Sequence, residues 1–449
     1  MSAAQAAAAR TGLAPLAPVL GGPAIAARPR WMSAPVRAQD GAQDGAGPRA
    51  GLSTMLWAIM AIVMLTHLTM AFGTLGSGVY TGLVLARRLC WVVFGASALA
   101  EVLLGDPAEL IRPIGALIPF VIVGMASALL GLEPLPGLFA IVLWLATMLS
   151  ACVIGRRLRG ADLPLLLVAW FLGTIAASVA VALLRPRVGL MIDGRFAHGV
   201  WRGVFVGKNW LAWYAGFAIL LAVFAGSVRW YWRAALGVLA VVALRGAHSA
   251  GSVAAVAAVL GIMALFALWH RLGLSRGMQA LANVAVLGGG ALIGWAGYAM
   301  VLVGLGRDAS LTGRTAIWQA YFNRALENWA FGAGPGSFTD LSLATGDVGL
   351  RFQHLGRIFT PHNMFIAVFG EIGLFGLVAF GLSMAVILGQ ALSLPRGANR
   401  NLIVAFVLFF LVSGLDETHE VFGTGFGLFV IVLLRAWVRR DRGEEPVHG

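Results

Sequence analysis

Residues 362–388 read HNMFIAVFGEIGLFGLVAFGLSMAVIL. Glu371 is the one acidic residue in this run, and no Lys or Arg interrupts it. A bilayer core about 30 Å thick is crossed by about 20 apolar helical residues. In hydrocarbon the backbone must satisfy its own polar groups, which a helix does within one segment. The stretch therefore predicts a transmembrane helix. Similar runs occur at 53–73, 89–104, 113–131, 137–154, 164–184, 210–226, 230–244, 250–269, 281–304, 402–415 and 421–437. Together they predict about twelve helices.

The whole chain has the same character. It has 449 residues, 59% of them hydrophobic and 11% charged, with a mean hydropathy of +0.86. Soluble domains are about 45–50% apolar and about 25% charged. So little charge cannot keep this much apolar surface in water, which excludes a soluble enzyme, a disordered chain and a fibrous protein. The expected fold class is an all-α polytopic integral membrane protein. Cys90 and Cys152 lack metal-ligand spacing, so neither a zinc site nor a disulfide is expected. No cofactor is expected, and GxxxxGK[ST], HExxH and GxSxG motifs are missing from the sequence.

The predicted organisation is a disordered tail over 1–51, a bundle of about nine helices over 52–304, an outer-face loop over 305–361, three final helices over 362–437 and a cytoplasmic tail over 438–449. Within the loop, Gly313 to Asn328 has helical periodicity: Ile317, Tyr321, Ala325 and Trp329 recur every four residues. Such an amphipathic helix is expected to lie on the membrane surface. Gly332 to Gly336 is expected to end it as a flexible turn.

The net charge is +13. The basic residues lie between apolar runs and form no stripe of the nucleic-acid-binding kind, so no nucleic acid partner is expected. Membrane lipids and anionic substrates are the expected partners. Basic loops at 155–163, 270–277 and 435–442 mark one side as cytoplasmic. Arg185, Arg187, Arg195, Arg202 and Lys208 then fall on the other side, with Arg307, Arg314, Arg324, Arg351 and Arg357. Cations that oppose the topology rule point to anion binding on the outer face.

Three clusters carry candidate chemistry. RGVFVGKN at 202–209 offers Arg202, Lys208 and Asn209. The planar guanidinium fork suits bidentate phosphate contacts, and lysine is a compact point charge. GRTAIW at 313–318 offers Arg314. Pro361-His362-Asn363 places an imidazole where the outer loop enters a helix, and Glu371 lies nine residues further in. Histidine can exchange a proton near neutral pH. An acid within the membrane faces a partner or a cavity. Each residue also has a structural reading: snorkelling cations for Arg202 and Lys208, a helix cap for His362, a buried pair for Glu371. Asp416, Glu417, His419 and Glu420 form an acidic outer loop that reads equally as a metal-like cluster or a solvated turn.

In this order the clusters, with WAFGAGPGSF at 329–338 and PHNMFIAVFGEIGLFGL at 361–377, resemble the O-antigen ligase and O-antigen polymerase superfamily. RGVFVGKN looks most like its bacterial exopolysaccharide polymerases. The resemblance implies a GT-C-like glycosyltransferase of the bacterial inner membrane, with its site on the periplasmic face. The implied donor is an undecaprenyl-diphosphate-linked glycan, and the implied reaction is metal-independent. Arg202 and Arg314 would be catalytic residues that bind the diphosphate, and His362 would sit at the acceptor hydroxyl. Lys208, Asn209, Asn363 and Glu371 would support the substrate. Other polysaccharide-assembly proteins would be partners. The expected function is polymerisation of lipid-linked repeat units. The alternatives are a ligase that moves the glycan to lipid A core or to protein and, from another class, a polysaccharide-related transporter.

Overall fold

The structure is a computed structural model that describes residues 107–131, 134–158, 162–192, 199–275, 314–337, 361–419, 421–422 and 425–441, with short stretches between 55 and 104 and between 277 and 281. Arg195, Cys90, residues 282–304, the tail at 1–51 and residues 442–449 lie outside the described residues; the tail expected from 438 begins inside the last helix. Ten helices carry the described fold. They are α1 (Ile118–Leu130), α2 (Pro134–Arg157), α3 (Asp162–Leu184), α4 (Lys208–Phe224), α5 (Trp230–Ala247), α6 (Ala250–Arg271), α7 (Arg314–Leu326), α8 (Met364–Ser393), α9 (Ala398–Ser413) and α10 (Phe426–Asp441). A two-residue hairpin, β1 (Leu190–Met191) and β2 (Val200–Trp201), bridges α3 and α4.

Helices α2, α3, α6 and α8 are long and apolar enough to cross a membrane. They have 24, 23, 22 and 30 residues. Helices α4 and α9 are apolar but shorter. The molecule is an α-helical membrane protein by this measure. The run expected at 230–244 extends to Ala247 in α5.

Short connections make neighbours antiparallel, and side-chain contacts fix which ends meet. Gly155, late in α2, lies against Leu433 and Trp437, midway to late in α10. Gly203, past the hairpin, lies against Ser178, late in α3. Arg396, between α8 and α9, meets His270 at the end of α6, 3.3 Å away. Arg156, Arg157, Arg229, Arg233, Arg271 and Arg396 therefore gather at one end of the bundle. The starts of α4, α6 and α8 and the end of α9 gather at the other. The core is aromatic between these ends: Phe217 lies within 6 Å, ring centre to ring centre, of Trp213, Phe406, Phe409 and Phe426.

The run that predicts one continuous helix is broken. Gly373 has φ 69° and ψ −170°, which no helix contains. Residues 329–334, which overlap the flexible turn expected at Gly332 to Gly336, fill the break; Gly332 and Gly334 are buried and Trp329 is exposed. Ala333 N–H donates to the Gly370 carbonyl and Gly334 N–H to the Glu371 carbonyl, both at 2.8 Å. In return Leu374 N–H donates to the Trp329 carbonyl at 2.7 Å and Phe375 N–H to the Ala330 carbonyl at 3.3 Å. A broken helix in hydrocarbon would otherwise leave polar backbone groups bare, at several kcal/mol each. Glycine is required on both sides of the join. A Cβ on Gly332 would press on the Glu371 carbonyl, and one on Gly373 on the Ala330 carbonyl. Helix α7 does not merely lie on a surface. Tyr321 and Ala325 are buried, Phe322 packs on Phe369 of α8, and Trp318 Nε1–H donates to the Pro361 carbonyl at 2.7 Å.

Candidate active site

His362 stands one residue before the cap of α8. Its φ is 48°, the left-handed region that side chains other than glycine seldom adopt. Such strain costs about 1–3 kcal/mol and persists only where the surroundings impose it. Here Asn363 imposes it. The Asn363 Oδ1 accepts from Phe365 N–H at 2.9 Å and Ile366 N–H at 3.0 Å, a helix cap. Its Nδ2 donates to the Leu415 carbonyl and its backbone N–H to Thr418 Oγ1. Met364 N–H donates to the Gly414 carbonyl at 2.7 Å. The start of α8 is thus stitched to the loop 414–419 that leaves α9.

That loop carries Glu417 to the imidazole. Its Oε2 lies 3.1 Å from His362 Nδ1, and its Oε1 accepts from Asn209 Nδ2 at 2.5 Å. The side chains are 29% and 15% exposed, so the pair is sheltered but reachable. A carboxylate only accepts hydrogen bonds, so Nδ1 carries the proton. With the proton of a single-proton imidazole on Nδ1, Nε2 is the acceptor nitrogen. This is the arrangement of a general base oriented by a carboxylate. The neighbouring Asp416 sits where a side chain on Gly251 would be, at the start of α6. The loop therefore touches α4, α6 and α8 at once.

The expected site residues divide into groups. His362, Asn209 and Asn363 come together around the loop. Lys208 opens α4 beside Asn209, and its backbone N–H donates to Met191 Sδ at 3.4 Å. Arg202 follows β2, and its Nε–H donates to the Val188 carbonyl at 2.8 Å. Arg314 opens α7, with a side chain outside those described. Glu371 is buried beside the break in α8, where its carbonyl also accepts from Ser127 Oγ at 2.9 Å. It stands apart from the His362 group, about 13 Å along the helix.

The sequence left Glu417 and His419 in an acidic loop that read as a metal-like cluster or a solvated turn, and gave no role to Trp213 or Ser413. His419 is 6% exposed and stacks on Trp213 with ring centres 4.2 Å apart. Burial lowers its pKa to about 3, against a smaller raising effect of Ser413. The available signal was the spacing: Asn209 and Trp213 are four apart on a helix, Glu417 and His419 two apart in a loop. Among the described residues, no three of His, Cys, Asp or Glu form a group that could hold a metal ion.

Residues 235–381 match the family described as O-Antigen ligase. The match covers about a third of the chain. The matched region holds Arg314, the break and His362, and leaves Arg202, Asn209 and Glu417 outside it. A comparison with curated proteins finds no match.

Proposed function

We propose that this protein is a member of the O-antigen ligase family, that it transfers a glycan from a polyprenyl diphosphate to a sugar hydroxyl, and that it polymerises lipid-linked repeat units. The observation that carries the reading is the His362–Glu417–Asn209 group. His362 Nε2 takes the proton of the acceptor hydroxyl as its oxygen bonds to the anomeric carbon. The bond from that carbon to the diphosphate breaks, and the diphosphate leaves with the electron pair. Glu417 stabilises the imidazolium that forms. Arg202 and Arg314 stabilise the charge that grows on the diphosphate. Lys208 and Asn363 support the substrate, and Glu371 lines its deeper approach. The concentration of arginine at the opposite end supports a site on the periplasmic face of the inner membrane.

The preference for polymerase over ligase rests on the RGVFVGKN stretch at 202–209. The two differ only in the acceptor. The test is a deletion strain complemented with His362→Gln. Glutamine keeps a hydrogen-bonding group but takes no proton at neutral pH. The variant should accumulate in the membrane while single lipid-linked repeat units build up unpolymerised. Normal chain lengths would overturn the base assignment. Normal polymer on its lipid carrier, with only its transfer to another acceptor lost, would assign the chain as a ligase.

A further inference from the structure

His419 lies two residues from Glu417 and touches neither His362 nor any group in the reaction above. Its Nε2 is 2.9 Å from Ser413 Oγ. Ser413 has one hydroxyl proton, and its shortest acceptor is the Phe409 carbonyl at 2.5 Å. The Ser413 oxygen then accepts twice, from Trp213 Nε1–H at 2.9 Å and from His419 Nε2–H. The imidazole stacks on Trp213 and runs nearly parallel to Phe410, with ring centres 5.6 Å apart. A histidine that served as acid, base or ligand would need an open face. This one is packed between aromatic rings and spends its proton on a serine.

The spacing shows what the packing is for. Asn209 and Trp213 lie four apart on α4, on one helix face, about 6 Å along its axis. Glu417 and His419 lie two apart in an open loop, and two extended residues span about 7 Å. The loop therefore meets α4 at two points in register: Glu417 on Asn209, and His419 on Trp213 and Ser413. Between them Thr418 Oγ1 accepts from the Asn363 backbone N–H at 3.2 Å. The bonds of Gly414, Leu415 and Thr418 tie the loop to the start of α8, but with Glu417 alone it would meet α4 at one point. With two, the carboxylate is fixed.

We propose that His419 is a positioning residue: it locks the loop 414–419 onto α4 and α9 and so holds the Glu417 carboxylate on His362. The inference rests on the transfer reading above. A base displaced by about 1 Å can lose about 10²-fold in rate, so the effect belongs to turnover rather than to donor binding.

The test uses the full chain in lipid nanodiscs. The donor is lipid-linked repeat unit extracted from the deletion strain. His419→Phe keeps a flat buried ring and removes the Nε2–H donor. It should accumulate normally, hold KM, and lose about 10²-fold in kcat. His419→Gln, whose amide nitrogen can reach Ser413, should recover part of that loss. Trp213→Phe keeps an aromatic ring on α4 but removes the Nε1–H and part of the surface on which His419 stacks; it should lower kcat in the same direction and serves if His419→Phe fails to accumulate. A rise in KM with unchanged kcat, or unchanged kinetics in both His419→Phe and Trp213→Phe, overturns the proposal when His362→Gln in parallel is inactive. An active His362→Gln overturns the transfer reading, and this inference with it.

Discussion

Residues 329–334 and residues 414–419 both pack against helix ends, and they are held by different means. Residues 329–334 enter the break in α8 and are held by backbone groups: four N–H to carbonyl bonds close the gap. Residues 414–419 are held mostly by side chains: Glu417 to Asn209 and His362, Thr418 to Asn363, His419 to Ser413, with one backbone bond from Met364 N–H to the Gly414 carbonyl. Backbone pairing depends little on which side chains are present, provided that glycine stands where the chains touch. Side-chain pairing depends on every partner and leaves ionisable groups in position. The first loop suits a membrane interior, and the second suits the chemistry proposed above.

The largest expected effect lies in the first loop. Gly373→Val puts a branched side chain at φ 69°, against the Ala330 backbone. The loop must then withdraw, leaving buried carbonyls and amides without partners. Strain and lost bonds together cost about 4 kcal/mol or more. The variant should fail to accumulate in membrane fractions at the growth temperature. Normal accumulation would mean that the break is not what holds α8 together.

The next effect lies in the second loop and spares folding. Glu417→Gln keeps size and shape. If the amide oxygen faces His362 Nδ1–H, its NH₂ meets the Asn209 NH₂. If it turns, its NH₂ faces Nδ1 and forces the proton onto Nε2. In the first case Asn209 loses its acceptor, in the second Nε2 loses its bare lone pair, and in both the charge that stabilises the imidazolium is gone. Turnover should fall by about 10²–10⁴-fold with near-normal accumulation, measured with the extracted donor. Near-normal turnover would make the His362–Glu417 contact a cap and not a catalytic pair.

The two loops also differ in how far the sequence reveals them. Apolar runs and basic loops gave the helices and the end at which cations gather, because burial and charge act locally along the chain. Residues 362–388 read as one helix because no local rule says what another segment will insert. Gly373 looks like any membrane glycine until Ala330 is seen against it. His362 and Asn209 were legible as types of residue. Glu417 was not, because its meaning comes from partners 55 and 208 positions away. The family match stops at residue 381 and includes neither Glu417 nor Asn209.

A smaller effect follows from His419 and separates the loops by pH. Its pKa falls from 6.5 to about 3 because it is buried; the groups packed on it, Trp213, Phe410 and Ser413, do not titrate in this range. The unfolded or opened loop binds the proton that the closed loop refuses. The stability that this contributes is complete above about pH 6.5 and is lost as pH falls toward 3, at up to about 1.4 kcal/mol per unit. Thermal unfolding in detergent should therefore show a midpoint that drops between pH 6.5 and about pH 5. His419→Phe should flatten that slope. An equal slope in both proteins would place the acid sensitivity elsewhere.

The smallest effect returns to the break. Ser127 Oγ–H donates to the Glu371 carbonyl at 2.9 Å, and the same carbonyl accepts from Gly334 N–H at 2.8 Å. Ser127→Ala removes one of two donors and leaves no polar group bare, because the hydroxyl goes with its bond. The net cost should be about 0.5–1.5 kcal/mol. That corresponds to a fall of about 1–4 °C in Tm, with turnover unchanged. A loss as large as that of Gly373→Val would show that a side chain, and not the paired backbone, closes the break. The two loops would then be held by the same means, and the contrast between them would be gone.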